Sequence, residues 1–256
     1  TYLNAIQQSE TLAGIRVETR VAIGTAAATI ENLADEEQID LIVICSHGDT
    51  GFKRWVLGSV AQKVARHANI PVFVLHRDGT TPDTPFPDRL RPLRSIVAMV
   101  ALDGSPFAEA AIEPTAQLVA ALSTPAQGTL LLTKVVPSQA TQAADATPGE
   151  RHDMLDEAQA YLNSVAQANA QLAERYKIAL RTSIAAGDNV AEALMRSAED
   201  GEEAEGKRLT GGCDLLAMTT HGRSGLQRMT MGSVTERILG TTKLPLLVVH
   251  NTTQPV

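Results

Sequence analysis

Aromatic residues make up only 3% of the sequence, with a single Trp, so the stacking platforms that bind single-stranded nucleic acid have little to be built from. Cysteine is scarce too. Cys45 and Cys213 stand 168 residues apart and no CxxC occurs, which excludes a zinc cluster or a disulfide-dense secreted fold and fits a reducing, cytoplasmic compartment. Positive charge is not in excess: 22 basic against 29 acidic residues leave −7, which argues against a nucleic-acid partner held by bulk charge. No apolar run approaches the ~20 residues that cross a bilayer. The start, Thr1-Tyr2-Leu3-Asn4, shows neither a basic n-region nor an apolar h-region, so no membrane association is expected.

What the sequence does have is core material, 44% hydrophobic over 256 residues, enough for one large or two ordinary domains. It also repeats itself. At an offset of 174, residues 45–76 and 219–250 share ten of 32 positions, including every glycine of the first stretch. Both follow an Asp-Leu pair that opens an apolar run, Asp40-Leu41 and Asp214-Leu215. Two homologous units follow. Four prolines in 79–92 mark a linker, which places the units at 1–78 and 93–251.

In the second unit the apolar run 95–102 reads as a strand buried on both faces. Ser105 caps a helix with Pro106 in its first turn, running to about Leu122. Strands are expected at 129–136, 177–185, 214–219 and 246–249, with helices at 153–174, 188–197 and 234–240. The stretch 200–212, with its acidic part at 199–205, lacks periodicity and reads as a loop with no calcium-ligand spacing. The alternation requires an open parallel α/β sheet with helices on both faces. The first unit reads as helix 1–12, strand 15–21, helix 26–38, strand 41–45, helix 59–67 and strand 71–75. It lacks the opening β-α-β.

The glycine-rich loop of the second unit leaves a strand at Thr219 and enters a helix at Ser233, with nine residues between Gly222 and Gly232. A helix start beyond a strand end is a ready anion site. The same residues also read as a structural turn, because Ser233-x-x-Glu236 and Ser59-x-x-Gln62 are capping-box patterns. No Walker A motif, and no Gly-x-Gly-x-x-Gly after the first strand, is present.

The frame His221-Gly222, nine residues, Gly232-Ser233-Val234, closing on Leu244-Pro245-Leu246-Leu247-Val248-Val249, resembles the carboxyl-terminal signature of the universal stress protein family. His47-Gly48, nine residues, Gly58-Ser59-Val60 resembles a second copy, and Val100-Ala101-Leu102-Asp103-Gly104-Ser105 is similar to the family's opening strand and aspartate. The resemblance implies a five-stranded sheet of order 3-2-1-4-5, repeated twice with the first copy lacking its opening β-α-β. It also implies binding of ATP, with or without Mg2+, or of another adenine nucleotide. Asp103 would approach the adenosine and Val136 or Val135 would face adenine. Gly222, Gly232, Ser233 and Val234 would meet the phosphates, and Gly48, Gly58, Ser59 and Val60 would form the weaker first site. Thr219 and Cys45 stand where the family's motif has its first glycine. Pairing through strands 71–75 and 245–249, within the chain or in a homo-oligomer, is implied as well.

His47 and His221 read as structural donors beside turns, and Arg54 and Arg228 as solvated or lying over phosphates. Cys45 is expected to be an inert buried thiol and Cys213, beside a glycine pair, the more reactive one. The leading function is a nucleotide-binding stress-response or regulatory protein that is not an enzyme. A non-binding dimerisation or interaction scaffold of the same fold is the alternative. A slow ATP hydrolase comes last, because no general base, lysine or metal-binding carboxylate pair accompanies the loop.

Overall fold

The computed structural model describes residues 2–46, 57–76, 95–138, 148–201, 203–204, 207–208, 212–220 and 231–250. The linker 79–92, His47, Gly48, Arg54, His221, Gly222 and Arg228 lie outside them.

The first unit contributes α1 (Tyr2–Gln7), α2 (Ala26–Glu36), β1 (Ile42–Cys45), α3 (Ser59–His67) and β2 (Val72–Leu75). The second opens with β3 (Val97–Leu102), α4 (Pro106–Glu109), α5 (Ile112–Ser123), β4 (Thr129–Val136), α6 (Pro148–Ala168), α7 (Ala170–Tyr176) and β5 (Ala179–Ala186). It continues with α8 (Val190–Asp200), β6 (Glu203–Ala204), β7 (Lys207–Arg208), β8 (Leu215–Thr219), α9 (Ser233–Thr241) and β9 (Leu246–Val249).

One seven-stranded sheet carries both units, in the order β1-β2-β9-β8-β3-β4-β5. All its neighbours are parallel except β2 and β9, which run antiparallel with Val72 opposite Val248, Phe73 opposite Leu247 and Val74 opposite Leu246. Strands β2, β8 and β9 are buried along their whole length, as their unbroken apolar runs require for a sheet covered on both faces. One layer packs α2, α3, α8 and α9 through Ala34, Val64, Leu194 and Ile238. The other packs α4, α5, α6 and α7 through Ala108, Ile112, Leu162 and Ala173. Asp214 holds β8 to β3, its buried carboxylate accepting from the Val97 amide at 2.8 Å. Across the junction of the units, the His250 ring nitrogens stand 3.2 Å from the Ile70 carbonyl and 3.1 Å from the Ala65 carbonyl.

Several expectations change. Residues 15–21, expected as a strand, form no regular element and join no ladder among the described residues; they are tied to helices instead, Gln7 Nε2 donating to the Val17 carbonyl and Arg20 pairing with Glu37. The expected helix 1–12 is α1 plus a single 3-10 turn at Glu10–Leu12. The helix expected over 153–174 is split at Asn169, and the loop 200–212 contains the two-residue ribbon β6–β7. The two cysteines are reversed: Cys45 is exposed and Cys213 buried, because β1 is an edge strand whereas Cys213 is pulled under α8 by its amide bond to the Ala198 carbonyl.

Candidate functional site

The second unit's connections reverse direction at β3. The chain leaves β3 for β4 on one side and returns through β8 on the other, so a crevice opens beyond the ends of β3 and β8, where open α/β sheets hold ligands. Asp103 stands just past β3. Its Oδ1 accepts from the Ser105 amide at 2.9 Å and the Ser105 hydroxyl at 2.6 Å. Ser105 in turn caps α4, its Oγ accepting from the Ala108 amide, with Pro106 in the first turn. The aspartate is thereby fixed in one orientation. Gly104 between them has φ +92°, and a Cβ there would lie 2.9 Å from Lys134 Nζ.

Lys134 was not among the residues singled out from the sequence. It sits opposite Leu102 at the end of β4, half-buried, with its ammonium 4.7 Å from the centre of the Tyr161 ring, a cation–π distance. The Tyr161 hydroxyl donates to Glu109 Oε1 at 3.0 Å. Burial first, then the bond to Glu109 and the charges of Glu109 and Asp103, push the phenol well above its usual range. Asp103, Glu109, Lys134 and Tyr161 thus form one charged cluster at the ends of β3 and β4. The signal for it was a lysine interrupting the apolar run Thr129–Val136, but nothing local in the sequence pairs that lysine with a tyrosine 27 positions on.

On the β8 side, Thr219 and Thr220 are buried, and the Thr219 carbonyl accepts from the Thr235 hydroxyl at 2.9 Å. Gly232, not Ser233, is the N-cap of α9, and Gly58 that of α3. Ser233 and Ser59 are therefore first helical residues, and the capping boxes expected from the sequence are not formed. The Gly232 amide donates to the Thr220 carbonyl at 2.7 Å, and the Gly58 amide to the Ser46 carbonyl at 2.7 Å. Glu236 is the first residue of α9 whose amide closes onto the helix, at Gly232, so the donors of this turn that have no helical partner are those of Ser233, Val234 and Thr235. A Cβ on Gly58 would meet the Ser46 carbonyl at 2.9 Å; backbone crossing alone requires that glycine.

The two residues expected to face adenine lie on opposite faces of β4. Val136 is buried beneath α6 with Ala158, while Val135 is half-buried on the opposite face, in the layer that includes Val234 and Met231. Ser59 and Val60 begin α3 in the first unit, where no residue answers to Asp103.

The universal stress protein family matches residues 2–76 and 97–250. The chain belongs to that family. A relative in Mycobacterium tuberculosis, universal stress protein Rv2005c, is 26% identical over 249 residues, covering 96% of this chain and 74% of its own. Universal stress protein MJ0531 of Methanocaldococcus jannaschii is 38% identical over 64 residues, 25% of this chain, and the match spans only 38% of that protein's length. Among solved structures, a functionally unknown protein, PA1789 of Pseudomonas aeruginosa, superposes with a TM-score of 0.59 at 18% identity, covering 97% of this chain and 76% of that one. A universal stress protein from Archaeoglobus fulgidus gives 0.58 at 20% identity, covering 97% and 74%. These two likenesses establish the shared fold. No helix among the described residues is long and apolar enough to cross a membrane.

Proposed function

We propose that the second unit binds ATP or a related adenine nucleotide in the crevice beyond β3 and β8, and that the protein acts in a stress response through occupancy of that site rather than by efficient turnover. The observation that carries the reading is the convergence, on two adjacent parallel strands, of a fixed carboxylate and a helix start. Asp103 follows β3 and the uncapped first turn of α9 follows β8. A helix start without a capping side chain takes an anion well, and the orienting hydrogen bonds from Ser105 suit Asp103 to accept from a sugar hydroxyl.

The residues present fit a phosphate at the start of α9, because Ser233 is exposed at the first helical position and no side chain caps the turn. Gly232 serves by geometry, its amide being spent on Thr220. Mg2+, if it accompanies the nucleotide, would be held by the phosphates; no group of three or more candidate metal-ligating side chains occurs among the described residues. The first unit, with no counterpart of Asp103, binds more weakly or not at all. Cytoplasmic location and homo-oligomer formation belong to the same reading.

Mass spectrometry of ligand released from purified protein tests it. An adenine nucleotide retained by the wild type and reduced at least tenfold in Asp103→Ala supports the site. Equal retention by both proteins would remove it, and absence of any nucleotide, together with no heat on titration with ATP, would leave the scaffold function in its place.

A further inference from the structure

His250 follows β9 of the second unit, and both of its ring nitrogens reach the first. Nδ1 stands 3.2 Å from the Ile70 carbonyl and Nε2 3.1 Å from the Ala65 carbonyl. Both partners are backbone oxygens, which only accept. A neutral imidazole carries one N–H and presents a lone pair at its other nitrogen, whereas the imidazolium carries two donors. In the neutral ring one of the two contacts sets a lone pair against a carbonyl oxygen. Only the charged ring satisfies both.

The acceptors themselves favour charge. The last amide to close onto α3 is that of Ala68, on the Val64 carbonyl, so the Ala65 carbonyl belongs to the helix end whose oxygens are left to other donors. That end is the negative pole of the helix, where an imidazolium is stabilised. Burial of part of the ring works against the charge, but the ring keeps some of its surface in water, and the two carbonyls act at contact distance. Around it, α3 carries Lys63, Arg66 and His67. Arg66 pairs with Glu236 of α9, and Arg237 of α9 with Glu192. Lys63 and His67 are exposed, with His67 in the field of Glu31 on α2. Asp40 ahead of β1 and Lys243 ahead of β9 are exposed, Asp35 accepts from the Asn69 side chain, and His76 follows β2.

We infer that His250 is a pH-responsive clamp between the two units. As the imidazolium it ties the end of α3 and the approach to β2 to the end of β9. As pH rises the ring gives one proton to solvent, one of its two hydrogen bonds is lost, and the joint loosens. The folded ring holds its proton more tightly than the unfolded chain does. The stabilisation is therefore complete below about pH 6.5, the ordinary histidine value, and is lost as pH rises through the folded value. The tightness of the joint thus follows acidification near neutrality, where an imidazole is the side chain that ordinarily titrates.

Nitrogen-15 NMR of the histidine rings in the full chain tests the clamp, with His250 assigned through the Val249 backbone and followed from about pH 5 to about pH 9.5. Both His250 nitrogens are expected to stay protonated past neutrality, with a midpoint at least one unit above about 6.5. A smaller shift, or a neutral tautomer at pH 6.5, overturns the inference. The second arm is His250→Gln, which can donate to a carbonyl but carries no charge. The urea midpoint of the wild type is expected to exceed that of the variant by a constant amount below about pH 6, and the gap to narrow by about pH 9. A gap as wide at pH 9 as at pH 6 overturns the clamp. The NMR arm needs only the wild type and decides the matter should the variant fail to fold.

Discussion

Phe73 stands directly opposite Leu247 across the antiparallel pairing of β2 with β9, and both side chains are buried in the layer that also holds Ile96 and Leu130. Two units that repeat in sequence therefore share one core. Burial of a hydrophobic face common to both elements makes their stabilities inseparable.

Phe73→Ala is accordingly expected to cost about 3–5 kcal/mol, the range for deleting a buried aromatic side chain, and to shift one cooperative urea transition that takes both units. Two transitions, with only one displaced, would show that the units fold independently despite the shared sheet.

The glycine at position 58 is explained by backbone crossing. Gly58→Ala sets a Cβ against the Ser46 carbonyl at 2.9 Å and is expected to destabilise the protein by about 1–3 kcal/mol, as overpacking does, while leaving ATP affinity of the second unit unchanged. Differential scanning calorimetry with and without ATP checks both halves of that expectation.

The cluster at the ends of β3 and β4 should be visible in the alkaline range. Because burial and Glu109 raise the Tyr161 phenol above the ordinary tyrosine value of about 10, the native state holds that proton more tightly than the unfolded chain. The resulting stabilisation is complete below about pH 10, the unfolded value, and is lost as pH rises above it. The urea midpoint of the wild type is expected to exceed that of Tyr161→Phe by a constant amount up to about pH 9, and the gap to narrow by pH 11. A gap independent of pH over that range would show that the phenol is unperturbed.

Much of this arrangement was legible in the sequence. The 174-residue repeat located β1, β2, β8 and β9, and Ser105-Pro106 marked the start of α4, because both signals are local or self-referential. Strand 15–21 does not form for a physical reason: alternating apolar residues specify a strand only if a neighbour takes its hydrogen bonds, and no described residues of the first unit stand where β4 stands beside β5. Cys45 is exposed for a parallel reason: β1, the repeat partner of β8, has no strand among the described residues in the place that β3 takes beside β8. Ser233 and Ser59 mimicked capping boxes because the spacing is shared by a helix whose cap is the preceding glycine. The Lys134–Tyr161 contact joins β4 to α6, and only the packing of α6 on the sheet brings them together.

The central claim is that phosphate groups meet the first turn of α9, and titration calorimetry of Ser233→Asp tests it most directly. An acidic residue at this exposed first-turn position favours the helix dipole by about 0.3–1 kcal/mol, so the fold survives while a second negative charge faces any phosphate. The account predicts that ATP binds the wild type with one site in the second unit, and that Ser233→Asp weakens ATP at least tenfold while adenosine binding is unaltered. ATP binding equally well to both proteins would contradict it.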